Sequence, residues 1–78
     1  MKHFSIVIRS FSEIQAFVEM ATVQPFEVLV GSDTHRVNGK SFIGMFSLDF
    51  RHPLQVHVNC DDAAFARFRK EATRFLIA

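Results

Sequence analysis

The chain has 78 residues, ten of them phenylalanine, with 49% apolar side chains and a net charge of +1. That apolar content excludes disorder, and the length predicts one domain over 1–78 with a modest core and little room for a deep catalytic cavity. Near-neutral charge argues against nucleic acid as an obligatory partner. No apolar run approaches a membrane span and no signal peptide opens the chain, so a cytoplasmic protein with no membrane contact is expected.

Residues 3–9 alternate, with Phe4, Ile6 and Ile8 on one side and Ser5, Val7 and Arg9 on the other, as in a half-buried strand. Ser10-Phe11-Ser12-Glu13 reads as a capping box, Ser10 at the N-cap and Glu13 three residues on. Ile14, Phe17, Val18 and Ala21 then keep helical spacing, predicting a helix over 11–22 that stops before Pro25. Phe26, Val28 and Val30 form the inward face of a strand over 26–31, and Gly31-Ser32-Asp33 supplies a turn. Residues 34–37 return as a mostly polar strand, which suits a sheet edge. A short helix over 41–47 follows, His52-Pro53 breaks the chain, and Leu54, Val56 and Val58 alternate in a strand over 54–59. Cys60, with no second cysteine for a disulfide or a metal, is expected as a buried or half-buried thiol near that strand's end. Asp61 or Asp62 caps a last helix over 62–76, with Phe65, Phe68, Ala72, Phe75 and Leu76 inward. Four amphipathic strands and two long one-sided helices require an α+β layer, the helices covering one face of a four-stranded antiparallel sheet. The other face, with Ser5, Arg9, Glu27, Gln55 and His57, can be wet.

The segment 37–48 carries the functional signal. Asn38-Gly39 marks a turn, and Ser41 stands directly before an apolar run, where its hydroxyl can cap a helix. At about 100° per residue, Phe42, Ile43 and Phe46 share one face while Met45 and Leu48 point elsewhere. A helix of one and a half turns lying on a sheet buries one side. Large apolar side chains are therefore expected in water beside Ser41 and Lys40, with Phe11 and Ser12 nearby, and such patches mark contact sites. A second copy of the chain could equally cover the patch. The plainer alternative is a connector whose side chains all reach the core, with Ser41 an ordinary cap.

Other residues offer less chemistry. His3, His35, His52 and His57 show no ligand spacing, so neither a metal nor another cofactor is expected. Asp61-Asp62 sits at a helix start, where anionic residues suit the dipole. No Gly-rich phosphate loop and no nucleophile–base arrangement is present, and Arg67, Arg69, Lys70 and Arg74 read as a solvated helix face. Enzymatic activity is not expected.

With that element order, Val37-Asn38-Gly39-Lys40-Ser41-Phe42-Ile43-Gly44-Met45-Phe46-Ser47-Leu48 resembles the segment around the regulatory serine of the HPr family, the small phosphocarriers of the bacterial sugar phosphotransferase system. Ala16-Phe17-Val18-Glu19 also fits that family's first helix, and the similarity runs ungapped from about Ile14 to the end. The resemblance implies an open-faced β-sandwich with strand order 1-4-2-3, and Ser41 as a regulatory phosphorylation site. It also implies protein partners: HPr kinase/phosphorylase, phosphotransferase-system components such as enzyme I, or a transcriptional regulator.

The family's signature before its first helix is Gly-x-His-Ala/Thr-Arg-Pro-Ala, whose histidine carries phosphate. Counting back from Phe17, that histidine falls at Ser10, the arginine at Ser12 and the proline at Glu13, and the preceding loop is several residues shorter. A histidine phosphoramidate passes its phosphate on, whereas a serine phosphate is a stable ester. Glu13 would also repel a phosphate at this helix start. The expected analogy is to members without the carrier histidine, which act in carbon catabolite regulation. The alternatives are a phosphocarrier using another residue, and an unrelated small α+β interaction module.

Overall fold

The computed structural model describes residues 2–32 and 34–76. The elements are β1 (Lys2–Ile6), α1 (Phe11–Thr22), β2 (Val28–Gly31), β3 (Arg36–Asn38), α2 (Phe42–Phe46), β4 (Leu54–Val58) and α3 (Asp62–Glu71), with a 3-10 turn at Thr73–Phe75. The four strands form one antiparallel sheet in the order β1-β4-β2-β3, as expected. Its register aligns Phe4, Val56, Val30 and Val37 in one row across the sheet. These side chains pack into a core shared with Ile14, Phe17, Met45 and Phe68 of the three helices. Phe68 sits at the centre of an aromatic cluster, with the rings of Phe4, Phe17 and Phe26 at 5.9, 6.4 and 5.5 Å. Edge contacts of this kind add about 0.5–1.5 kcal/mol per pair beyond the buried area.

Each helix starts where a short oxygen-bearing side chain precedes an apolar run. The N–H of Glu13 donates to Ser10 Oγ, that of Gly44 to Ser41 Oγ and that of Ala64 to Asp61 Oδ1, so Asp61 rather than Asp62 caps α3. In α1 the buried residues are Ile14, Phe17, Val18 and Ala21, as the spacing requires.

The element ends differ from expectation where distant segments compete for the backbone. β1 stops at Ile6 because the next N–H, that of Val7, donates to the Phe75 carbonyl at 2.7 Å, and Ile6 bridges to Leu76. Ile8 is nonetheless buried, so alternation continues past the pairing. Phe26 stays outside β2, half-buried on Phe68. The edge strand runs to Asn38 and begins at Arg36, and Asp33 of the expected turn lies outside the described residues. The last helix ends at Glu71 and tightens into the 3-10 turn, where Thr73 Oγ1 donates to the Lys70 carbonyl. Cys60 is half-buried just beyond β4.

The open sheet face is drier than expected. His57 is buried there, facing the His3 ring at 5.5 Å and lying 3.2 Å from Gln55 Oε1. It stands on β4, which has a neighbouring strand on each side, so His3 and Leu29 flank it across the ladder. Ser5 and Gln55 are half-buried, while Arg9 and Glu27 fall outside the strands. No helix among the described residues is long and apolar enough to cross a membrane.

Candidate functional site

The approach to α2 is fixed by three backbone donors. The N–H of Gly39 donates to the Val28 carbonyl at 2.7 Å, that of Lys40 to Asn38 Oδ1 at 2.9 Å and that of Ser41 to the Asn38 carbonyl at 3.0 Å. A side chain at position 39 would come within 2.8 Å of Val28 Cγ1 and 3.0 Å of Val30 Cγ2, so the turn needs glycine there for close approach. Ser41 Oγ then accepts the Gly44 N–H at 3.1 Å, and the Ser41 carbonyl accepts the Met45 N–H. A Cβ at position 44 would sit 3.3 Å from Ser41 Oγ and 3.4 Å from the Cβ of Val37 on β3. Ser41 is half-buried, and no acidic residue occupies the first turn of α2.

The Lys40 ammonium donates to the Gln24 carbonyl at 2.7 Å, beyond the end of α1. Carbonyls past a helix end lack intrahelical partners and attract a cation, and this one lies within reach of a four-carbon stem.

The geometry of α2 sorts its side chains as the 100° spacing predicts. Met45 and Leu48 are buried, whereas Phe42, Ile43 and Phe46 are 38%, 85% and 40% exposed. Phe11, at the start of α1 and 62% exposed, joins them. Its ring lies 5.2 Å from that of Phe46, which in turn lies 4.8 Å from Phe42. Phe50 extends the row on the other side, 5.6 Å from Phe11. Phe50 was not singled out from the sequence: it lies past the end of α2, and its place in the row depends on Phe11, distant in sequence. Ser12 is exposed next to Phe11, its hydroxyl 2.9 Å from Ser10 Oγ. The structure thus gathers Phe11, Phe42, Ile43 and Phe46 into one patch with Ser12 at its margin, and leaves Lys40 engaged elsewhere.

Charged residues flank Phe11 and Phe50 in sequence, and several of them pair within the chain. Arg51 donates to both Asp49 oxygens, at 2.9 and 3.2 Å. These hydrogen bonds hold the Asp49 carboxyl down at about 2. The same pairing raises the Arg51 guanidinium above its ordinary value. At the start of α1 the Glu13 carboxylate accepts the Arg9 N–H at 2.7 Å, one residue before the N–H that a capping box would use. The guanidinium groups of Arg9 and Arg74 stand 3.9 and 4.0 Å from it. The ground in front of this helix, where an anion would be favoured, is thus occupied by the chain's own carboxylate.

The histidines lie away from both helix starts. His3 and His57 are in β1 and β4, His35 precedes β3, and His52 follows α2, its Nε2 3.8 Å from Asp49 Oδ2. Among the described residues no group of three or more histidine, cysteine or acidic side chains is placed to hold a metal.

No protein-family model matches the sequence, and no curated protein matches it significantly. Among solved structures the chain is similar to HPr-C-His from Thermoanaerobacter tengcongensis, known from its crystal structure. The TM-score is 0.72 at 24% sequence identity, over 90% of this chain and 89% of that one. The fold is therefore an HPr-like open-faced β-sandwich.

Proposed function

We propose that the chain is a cytoplasmic HPr-like protein of the phosphotransferase-system type that docks to other proteins without relaying phosphate through histidine, and that Ser41 is its regulatory phosphorylation site. The observation that carries the reading is the juxtaposition at α2: an exposed apolar face beginning one residue after a serine cap that has no charge of its own. Three kinds of partner suit it: an HPr kinase/phosphorylase, a phosphotransferase-system component or a transcriptional regulator.

At the position that corresponds to the family's carrier, Ser10 is engaged as an N-cap and the neighbouring Glu13 carboxylate fills the anion position. A phosphate arriving there would meet a negative charge already held by two arginines. At Ser41 the balance is reversed. The hydroxyl oxygen would attack the γ-phosphoryl group of ATP and lose its proton, with ADP leaving. The ester formed adds about −2 charge at a helix start with no acidic residue, where the dipole is favourable. It would change which partner binds the adjacent Phe42, Ile43 and Phe46 face while leaving the core intact.

The test is incubation with ATP and an HPr kinase, read by intact mass, with Ser41→Ala as control. One added phosphate, absent in the variant, is expected. No addition, or addition that persists in Ser41→Ala, removes Ser41 as the switch. Incubation with phosphoenolpyruvate and enzyme I is expected to give no acid-labile phosphohistidine, and stoichiometric transfer to any histidine would restore the phosphocarrier reading.

A further inference from the structure

The open face of the sheet brings together two histidines that are far apart in the sequence. His3 of β1 stands directly opposite His57 of β4 in the antiparallel register, and side chains so placed share one face, with Cβ atoms about 4.5–5.5 Å apart. Their ring centres lie 5.5 Å apart with the planes tilted by 43°, so the rings are not stacked. An imidazole nitrogen binds zinc at about 2.0–2.1 Å, which puts the ring centre about 3 Å from the ion. Two imidazoles on one tetrahedral ion therefore have their centres about 5 Å apart, close to the spacing of this pair.

The two rings also differ in the way a metal site needs. His57 is buried on a strand with a neighbour on each side. Its Nε2 lies 3.2 Å from Gln55 Oε1 on the same face, and an outer hydrogen bond of this kind orients a metal-bound imidazole. His3, on the edge strand, is exposed and gives an ion its way in. No third histidine, cysteine or acidic side chain joins them among the described residues. We propose that His3 and His57 bind a divalent transition-metal ion of the zinc class, each through one nitrogen, with water completing the shell. Two imidazoles without a carboxylate select such a cation over magnesium or calcium, which take oxygen ligands. With two protein ligands in place of the three or four of a permanent zinc site, binding is reversible and follows the metal supply. The ion ties the edge strand β1 to β4 and stabilises the folded chain, because unfolding separates the pair. The site lies on the sheet face opposite the core, so it depends neither on phosphorylation of Ser41 nor on docking at α2.

Titrating the full chain with zinc chloride from micromolar to millimolar concentration, with the imidazole ring protons followed by NMR, tests the site. The His3 and His57 signals are expected to shift together, and the melting temperature to rise by several degrees. Magnesium chloride at the same concentrations should change neither. His3→Ala, at an exposed side chain, should abolish both the His57 shift and the rise, whereas His52→Ala should leave both in place. Signals and melting temperature unchanged by zinc overturn the proposal, as does a His57 shift that survives His3→Ala. Zinc that moves only the His35 or His52 signals overturns it as well, since binding would then be an adventitious surface contact.

Discussion

The starts of α1 and α2 are built alike and differ in charge. Each has a serine whose oxygen accepts the N–H three residues on, at 3.3 Å for Ser10 and 3.1 Å for Ser41. At α1 the third residue is Glu13, whose carboxylate turns back onto the Arg9 N–H and stands between two guanidinium groups. At α2 the third residue is Gly44, which brings no side chain and no charge. One helix start is electrostatically complete, and the other is left for something external to complete. The same capping chemistry thus yields a closed site and an open one, and a single residue makes the difference.

The sharpest way to break this comparison is to displace α2 itself. Gly39→Ala drives a methyl group against Val28 and Val30. Overpacking of this kind should cost about 1–3 kcal/mol in urea unfolding, while a negligible cost would show that close approach does not set where α2 begins. Next in size are the caps. Ser10→Ala and Ser41→Ala should each cost about 0.5–2 kcal/mol. The loss at Ser10 should be the smaller, because its bond to the Glu13 N–H is longer and exposed, at 3.3 Å, while that of Ser41 to the Gly44 N–H is 3.1 Å and partly buried, and the reverse order would contradict the contrast. Smaller again is added charge. Ser41→Asp should be neutral or stabilising by about 0.3–1 kcal/mol at low salt, whereas Ser10→Asp, beside Glu13, should gain nothing. Melting temperatures at two ionic strengths would separate the two, since salt should erase any gain.

The smallest effect concerns the charges bordering the patch. Asp49 is held at about 2, below its ordinary 3.8, chiefly by the hydrogen bonds from Arg51. Its folded-state value is depressed, so its contribution is complete above 3.8 and is lost as pH falls through about 2. Carboxyl carbon shifts followed by NMR should show this titration, and Arg51→Ala should return Asp49 towards 3.8. An unchanged midpoint would mean that Arg51 is not the partner.

The architecture was legible because its signals are local. Alternation in 54–58, the spacing of Ile14, Phe17, Val18 and Ala21, and the serine before Phe42 each reflect contacts within a few residues. The same holds for the exposed face of α2, which follows from helical geometry over five positions. What was not legible depends on distant partners. The end of β1 is set by Phe75 and Leu76, and the Lys40 ammonium is held by the Gln24 carbonyl, 16 residues earlier. The burial of His57 depends on β1 and β2 lying on either side of its strand. Periodicity within one segment carries no information about such pairings.

The position of β1 at the edge of the sheet bears on how the protein is made. Its strand partner is β4, and its remaining backbone contacts reach Phe75 and Leu76. On the ribosome, therefore, the strand bearing Phe4 and Ile6 emerges well before anything it pairs with. At about 5–20 residues per second, it waits for seconds while α1, the β2–β3 hairpin and α2 are translated. During that interval β1 has no strand partner, and the sheet can close only after β4 has left the exit tunnel.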